Sequence, residues 1–277
     1  FVNHSVGMLT IDPKQLEIPK LHRYLLGAIG PRPIAFASTI DENGTHNLAP
    51  FSFFNVFSAN PPIMIFSPAR SGRTNTTKDT YNNIKNVPEV VINVVNHEIV
   101  HQMSLASSPY PSDISEFEKS GFTALSSDIV RPPRVGESPV QFECKVNDVI
   151  ELGQEGGAGN LIICEVVKIH IQEDVLDEHQ MIDQHKIDLV SRMGGNWYCR
   201  ADQNSMFEIK KPITTCGIGY DSLPSDILNS TVLTGNDLGQ LAGIEELPNE
   251  TEVNEYKLIE LSELFLSLEE DAIQLEI

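Results

Sequence analysis

From Ser67 to Lys78 the chain reads SPARSGRTNTTK, with two arginines, one lysine, five Ser/Thr hydroxyls and no acid. The whole sequence holds 19 basic and 39 acidic residues, so an acid-free cationic stretch stands out. It runs into a predicted helix start near Lys78–Thr80. A helix N-terminus offers unpaired N–H groups and the positive end of a dipole. Arginine adds a bidentate fork, lysine a point charge and the hydroxyls small donors. Together these are the parts of a phosphate site. A solvated loop with ordinary surface cations has the same composition, and both readings stay open here.

Just upstream lies NLAPFSFFN, Asn47 to Asn55. Asn47, Ala49, Pro50 and Ser52 interrupt what should be a regular ladder. Proline has no N–H to donate, so the strand must be an edge or a bend at Pro50. Main-chain groups exposed there could address the polar rim of a flat heteroaromatic ring. Phe51, Phe53 and Phe54 supply apolar walls, although an irregular core strand would also use them. A mononucleotide-like cofactor satisfies both stretches at once. The residue chemistry does not choose its ring.

Other chemistry is weaker. His97, Glu98 and His101 form the bare string HEIVH, but no third ligand follows at a useful spacing, so no metal site is expected. There is no GxSxG elbow for a serine hydrolase. GIGYDS is an incomplete dinucleotide fingerprint outside any βαβ setting.

The elements that must position these residues can be read along the chain. Residues 1–7, ahead of Met8, are set aside. LEIPKLHRYLLGAIG places Leu16, Leu21, Leu25 and Leu26 near helical spacing, closed by Gly27 and Gly30. PIAFASTI and THNLAPF read as a hairpin about DENG, since Asn43-Gly44 tolerates positive φ. PPIMIFSP is a strand bounded by prolines. TTKDTYNNIKN has helix-start chemistry, with Thr77 or Asp79 as cap and Ile84 inward. EVVINVVN is a buried strand, and HEIVHQMSLA suggests a short helix. Residues 107–138, rich in Ser, Pro and Gly, are expected to wander over the surface. PVQFECKVNDVIEL and NLIICEVVKIHIQED form a long hairpin about GQEGGAG. MIDQHKIDLVSRMGGNWYCR predicts a short helix, a Gly-Gly break and an exposed aromatic pair. KLIELSELFLSLEEDAIQLEI predicts an acidic amphipathic helix, either solvated and packed on its own protein or a docking patch for a basic partner. About six strands at hairpin spacing, without alternating βαβ units, predict an antiparallel barrel with helical insertions.

Composition bounds the partners. The 277 residues carry a formal charge of −20, which argues against nucleic acid or an anionic membrane. No apolar run approaches the ~18 residues of a membrane span, and the N-terminus lacks the pattern of a secretory signal. Cys144, Cys164, Cys199 and Cys216 lack CxxC spacing, so neither disulfide stapling nor structural zinc is expected, and a reduced cytoplasmic setting fits.

PRPIAFASTIDENGTHNLAPFSFFNVFSANPPIMIFS, followed by RTNTTKDTYNNI, resembles the flavin reductase-like family of FMN-binding split barrels. It is especially similar to the branch with flavoredoxin and the reductase components of two-component monooxygenases. The likeness runs from about Met8 to about Phe207 and continues through GIGYDSLPSDILNSTVLTGNDLGQLAGIEELP; the chain beyond Pro248 falls outside it. The resemblance implies a mainly β, antiparallel split barrel of Greek-key type with short helical insertions over residues 8–210. A C-terminal extension with an acidic, helical tail would occupy 211–277. It also implies a homodimer with FMN near the subunit interface.

Carried over by position, Thr39, Asn47, Leu48, Ala49, Pro50, Phe51 and Ser52 would line the isoalloxazine and ribityl chain, with Asn55 close by. Ser67, Arg73, Lys78, Asp79 and Thr80 match the phosphate side, and Arg70 falls in a variable loop. RMGGNWYCR would bring Tyr198 toward the flavin, while Trp197 covers the barrel. The activity implied is NADH- or NADPH-dependent reduction of FMN, with electrons passed to a partner monooxygenase or electron carrier. No side-chain acid or base is required, and no catalytic residue is named. A non-enzymatic FMN carrier would use the same residues. An oxidase of a small phosphorylated amine would need more cations than this acidic chain offers.

Overall fold

The computed structural model describes residues 7–209 and 215–260. The chain divides into two compact units, Phe1–Met206 and Phe207–Ile277. The first begins with helix α1 (Ile18–Ala28) and continues with strands β1 (Ala35–Ile40), β2 (His46–Phe51), β3 (Phe54–Ala59) and β4 (Pro62–Phe66). Helix α2 (Asp79–Asn86), strand β5 (Glu89–Asn93) and helices α3 (Val100–Leu105) and α4 (Glu116–Ser120) follow. The short strands β6 (Ala124–Leu125) and β7 (Arg134–Val135) precede the long pair β8 (Val140–Glu151) and β9 (Asn160–Ile171). Strands β10 (Val190–Arg192) and β11 (Tyr198–Arg200) close the unit.

Seven strands form one antiparallel sheet in the order β2-β1-β5-β8-β9-β4-β3. Its two outermost strands, β2 and β3, are consecutive in sequence and joined only by Ser52 and Phe53. The three Cα–Cα steps from Phe51 to Phe54 reach only about 10 Å, so the sheet must roll until its edges nearly meet. The result is a barrel with one unladdered seam, a split barrel. Register shifts at Glu143/Cys144 and Val146/Asp148 in β8 supply the local bends that such curling needs.

Strand alternation builds two cores. Ala35, Ala37, Met64, Phe66, Val90, Ile92, Cys144, Ile162 and Cys164 fill the barrel together with Tyr81 and Ile84 of α2. Phe36 and Leu48 pack outside, under Met103 of α3 and Phe117 of α4. The Phe36 ring meets Phe122 edge-on, with centroids 5.3 Å apart. β1 is therefore buried on both faces. This outer core seats α4 against β2 and so brings residue 116 to the seam.

The predicted hairpin turn is present, with Gly44 at φ 87°. The short helix predicted between Met181 and the Gly-Gly break does not form. The Asp183 carboxylate accepts the N–H groups of His185 (2.8 Å) and Lys186 (3.2 Å), a local turn that competes with helical bonding. Ile182 bridges to Leu176 instead.

In the second unit, α5 (Ser225–Leu228) and α6 (Gly235–Leu241) pack about Leu223, Leu238 and Ala242. A capping box between Thr234 and Asp237 starts α6. Residues 250–260 are helical; the remainder of the acidic tail lies outside the described residues. Among the described residues, no helix is long and apolar enough to cross a membrane.

Candidate functional site

The seam opens onto a cleft of about 440 Å³ lined by Asn47, Ala49, Pro50, Phe51, Ser52, Phe53, Ser67, Lys78, Asp79 and Thr80, with His22, Tyr110, Glu116 and Arg192 among its other walls. The predicted ring stretch and the predicted phosphate stretch thus share one cavity, of a size usual for cofactor sites.

Strand geometry explains the ring side. Pro50 pairs with Phe36 and Leu48 with Ser38. The Leu48 N–H bonds to Glu116, outside the sheet, so Leu48 and Pro50 both turn their main-chain groups away from β1. Pro50 sits where a missing N–H costs no ladder bond, as an edge strand requires. Phe51 and Phe54 pack against the barrel core, whereas Phe53 is 40% exposed and forms the cleft wall beside His22.

On the other side, Lys78 is the N-cap of α2 and makes no side-chain capping bond. Neither Thr77 nor Asp79 caps the helix; Thr77 bonds Asn82 at 2.7 Å. The first turn therefore presents its N–H groups and a cation to the same cavity. The preceding loop is pinned: Ser67 Oγ accepts the Asn160 N–H at 3.1 Å, Asn160 Nδ2 donates to Pro68 O at 2.9 Å, and the Arg70 N–H donates to Ala158 O at 2.9 Å. A Cβ at Gly159 would come within 2.9 Å of Ser67 Oγ, so this approach needs glycine.

The remaining expected residues fall around the cavity. Thr39 and Leu48 are fully buried behind it. Asn55 lines an adjoining recess with Phe53 and Phe57, and its Oδ1 accepts the Val56 N–H at 2.8 Å. Arg73 is exposed and is not among the lining residues. Arg70 is held within its own loop by Asn75, at 2.8 and 2.7 Å. Tyr198 lines a second recess of about 380 Å³, which shares Pro50, Ser52, Ser107 and Arg192 with the cleft. The Arg192 guanidinium lies 4.6 Å from the Tyr198 ring centroid.

Three contributors were not singled out from sequence. Arg32 is buried; it donates to Leu26 O and Met193 O, each at 2.9 Å, and to Ile29 O and Ser52 Oγ, which brackets the seam. Burial and the neighbouring Arg192 lower its pKa. Arg192 lay in a quoted motif but was given no role. Glu116 carried no signal, being one acid in a Ser- and Pro-rich segment. Its carboxyl is buried at the cleft, and that burial, with Asp79 adding, pushes it above the usual carboxylate range.

A separate polar cluster sits away from the cleft. Asp128, Glu143 and His170 bring potential ligand atoms within 4.8 Å of one another. Glu143 already accepts the N–H groups of Asp128 (2.9 Å), Ile129 (2.6 Å) and Val130 (3.1 Å), with His170 Nε2 at 2.6 Å. Lys168 is paired with Asp128. Burial alone would raise the Glu143 pKa, but these bonds outweigh it and hold it at about 2. The cluster is thus a staple for residues 128–130. His97 and Glu98 precede α3 rather than lying on it, so the HEIVH histidines do not share a helical face.

Comparison with known proteins agrees with this architecture. A protein of Aquifex aeolicus, named only as uncharacterized, is 35% identical over 188 residues, covering 68% of this chain and 93% of its own. Nitrilotriacetate monooxygenase component B from Bacillus cereus superposes with a TM-score of 0.69 at 29% identity, covering 74% of this chain and all of its own. The 2-nitrobenzoate 2-nitroreductase of Pseudomonas fluorescens gives a TM-score of 0.65 at 27% identity, over 76% of this chain and all of its own. Residues 28–188 match the flavin reductase like domain, and the chain belongs to the flavin reductase-like family.

Proposed function

We propose that this chain is an FMN-dependent oxidoreductase that takes electrons from NADH or NADPH and passes them to a partner monooxygenase or electron carrier. Family membership supports the flavin-oxidoreductase class. The observation that carries FMN is the meeting of the open edge of β2 and the uncapped start of α2 in one cleft. That donor set fits the group. Lys78 and the first-turn N–H groups of α2 suit a terminal phosphate, with Ser67 and Thr80 beside them. The β2 edge from Asn47 to Ser52 suits a polar ring rim, and Phe53 its apolar face. Arg73, outside the cavity, has at most a long-range electrostatic part.

The chemistry supplied by bound FMN is acceptance of a hydride from a reduced nicotinamide and onward release of electrons. The chain's own contribution is positional. Arg32 fixes Ser52 and the seam, Phe53 excludes water from one side, and the recess of Arg192 and Tyr198 leaves room for a second flat substrate. The likeness to a component of a monooxygenase supports an oxygenase as acceptor.

A homodimer is part of the proposal. Val56 and Phe57 of β3 are 65% and 63% exposed, and α1 buries none of its residues within this chain. Apolar surface of that kind fits a subunit contact beside the seam.

The test is a titration of purified protein with FMN, followed by nicotinamide oxidation and light scattering. One FMN per subunit, NADH or NADPH turnover and a dimer mass are expected. Flavin binding without turnover would replace the enzyme by an FMN carrier. A protein that binds no flavin would refute the proposal.

A further inference from the structure

We infer that Glu116 is a positioning residue of the flavin site, holding Asn47 and the rim of β2 in the arrangement that meets the ring; the inference rests on the flavin reading above. Glu116 opens α4, a helix delivered by the segment expected to wander over the surface. It is 6% exposed, and its Oε2 accepts the Leu48 N–H at 2.9 Å and Asn47 Nδ2 at 3.2 Å. Leu48 is fully buried and its N–H points off the open edge of the sheet, so without Glu116 that donor would be orphaned.

The second bond decides how the Asn47 amide faces. Asn47 Oδ1 accepts from Thr39 Oγ1 at 3.2 Å and from Thr80 Oγ1 at 2.9 Å. Thr39 in turn accepts from Asn83 Nδ2 at 3.1 Å. With Glu116 on the amide nitrogen, three bonds fix the amide in one orientation. The chain of bonds runs from α4 through β2 to β1 and to the first turn of α2. One buried carboxylate thereby ties the ring side of the cleft to its phosphate side. A residue that merely packed would need no acceptor there.

The test measures riboflavin and FMN affinity, by quenching of flavin fluorescence, for wild type, Glu116→Ala and Glu116→Gln. Riboflavin reads the ring side alone. Removing the acceptor costs one or two hydrogen bonds of positioning, so Glu116→Ala is expected to weaken both flavins by a similar factor, about 10-fold or more. Glu116→Gln keeps an oxygen in place of Oε2 and is expected to recover most of that loss. On an Asn47→Ala background the Glu116→Ala effect should shrink severalfold. Should Glu116→Ala fail to fold, Glu116→Asp, one methylene short, is expected to show the same pattern at smaller amplitude. Riboflavin binding at wild-type strength in a folded Glu116→Ala or Glu116→Asp protein would overturn the inference. So would a Gln variant as impaired as the Ala variant. Wild-type protein that binds neither flavin would overturn the functional reading itself, and this inference with it.

Discussion

Replacing Glu143 by glutamine isolates the contribution of one buried charge. Its side chain is fully buried, and its carboxylate holds three consecutive N–H groups and His170. The folded-state pKa is about 2 against an ordinary 4.5. A carboxyl depressed on folding adds stability that is fully present above its unfolded pKa and is lost as pH falls toward its folded one. At about 1.4 kcal/mol for each tenfold, the gap corresponds to about 3 kcal/mol at neutral pH. Glutamine keeps the shape, loses the charge and turns an NH₂ toward donors, so Glu143→Gln is expected to lose about that much or slightly more. Urea unfolding followed by circular dichroism, repeated from neutral pH downward, gives the curve. The difference between wild type and variant should be constant down to pH 4.5 and shrink steadily below it. Zinc or a chelator should leave both proteins' midpoints in place, since the Glu143 oxygens are already occupied. A loss below ~1 kcal/mol, a loss independent of pH, or stabilisation by zinc would each refute the reasoning.

Lys78→Ala should weaken FMN about 10- to 100-fold and leave riboflavin nearly unaffected, while Arg73→Ala should change either by less than about threefold; paired titrations decide it. Pro50→Ala adds an N–H on the open edge of β2, so riboflavin affinity should change while the melting temperature moves little; the reverse pattern would contradict an edge position. Gly159→Ala drives a Cβ to within 2.9 Å of Ser67 Oγ and should cost about 1–3 kcal/mol in urea unfolding, with FMN weakened more than riboflavin. Thr234→Ala removes the capping box of α6 and should lower the protection of α6 amides in hydrogen exchange by about 1 kcal/mol, leaving flavin titrations unchanged.

Much of the barrel was legible because its signals are local. Asn43-Gly44 marks its own turn, Pro50 announces an edge or a bend, and PVQFECKVNDVIEL with NLIICEVVKIHIQED announces the long hairpin of β8 and β9. Strand order was not legible, since β1 finds β5 and β4 finds β9 across long stretches of chain, and no residue pattern names its partner. The false helix ahead of the Gly-Gly break arose because one Asp side chain outbid helical bonding through two local N–H groups. At the cleft, the two stretches that line it could each be read from composition, but their meeting depends on the fold. Arg32 and Glu116 escaped notice because burial, not spacing, gives them their roles. The identity of the ring came from family resemblance, since hydrogen-bonding capacity alone suits many flat heterocycles.

The unladdered seam has a consequence for how this protein can diverge. Where a ligand is met by main-chain groups, side-chain replacement erodes recognition slowly, because every residue but proline brings the same amide. The tether Ser52–Phe53 sets how far apart the two free rims stand. A change in what the cleft admits is therefore reached more directly by lengthening or shortening that tether than by exchanging the residues along it.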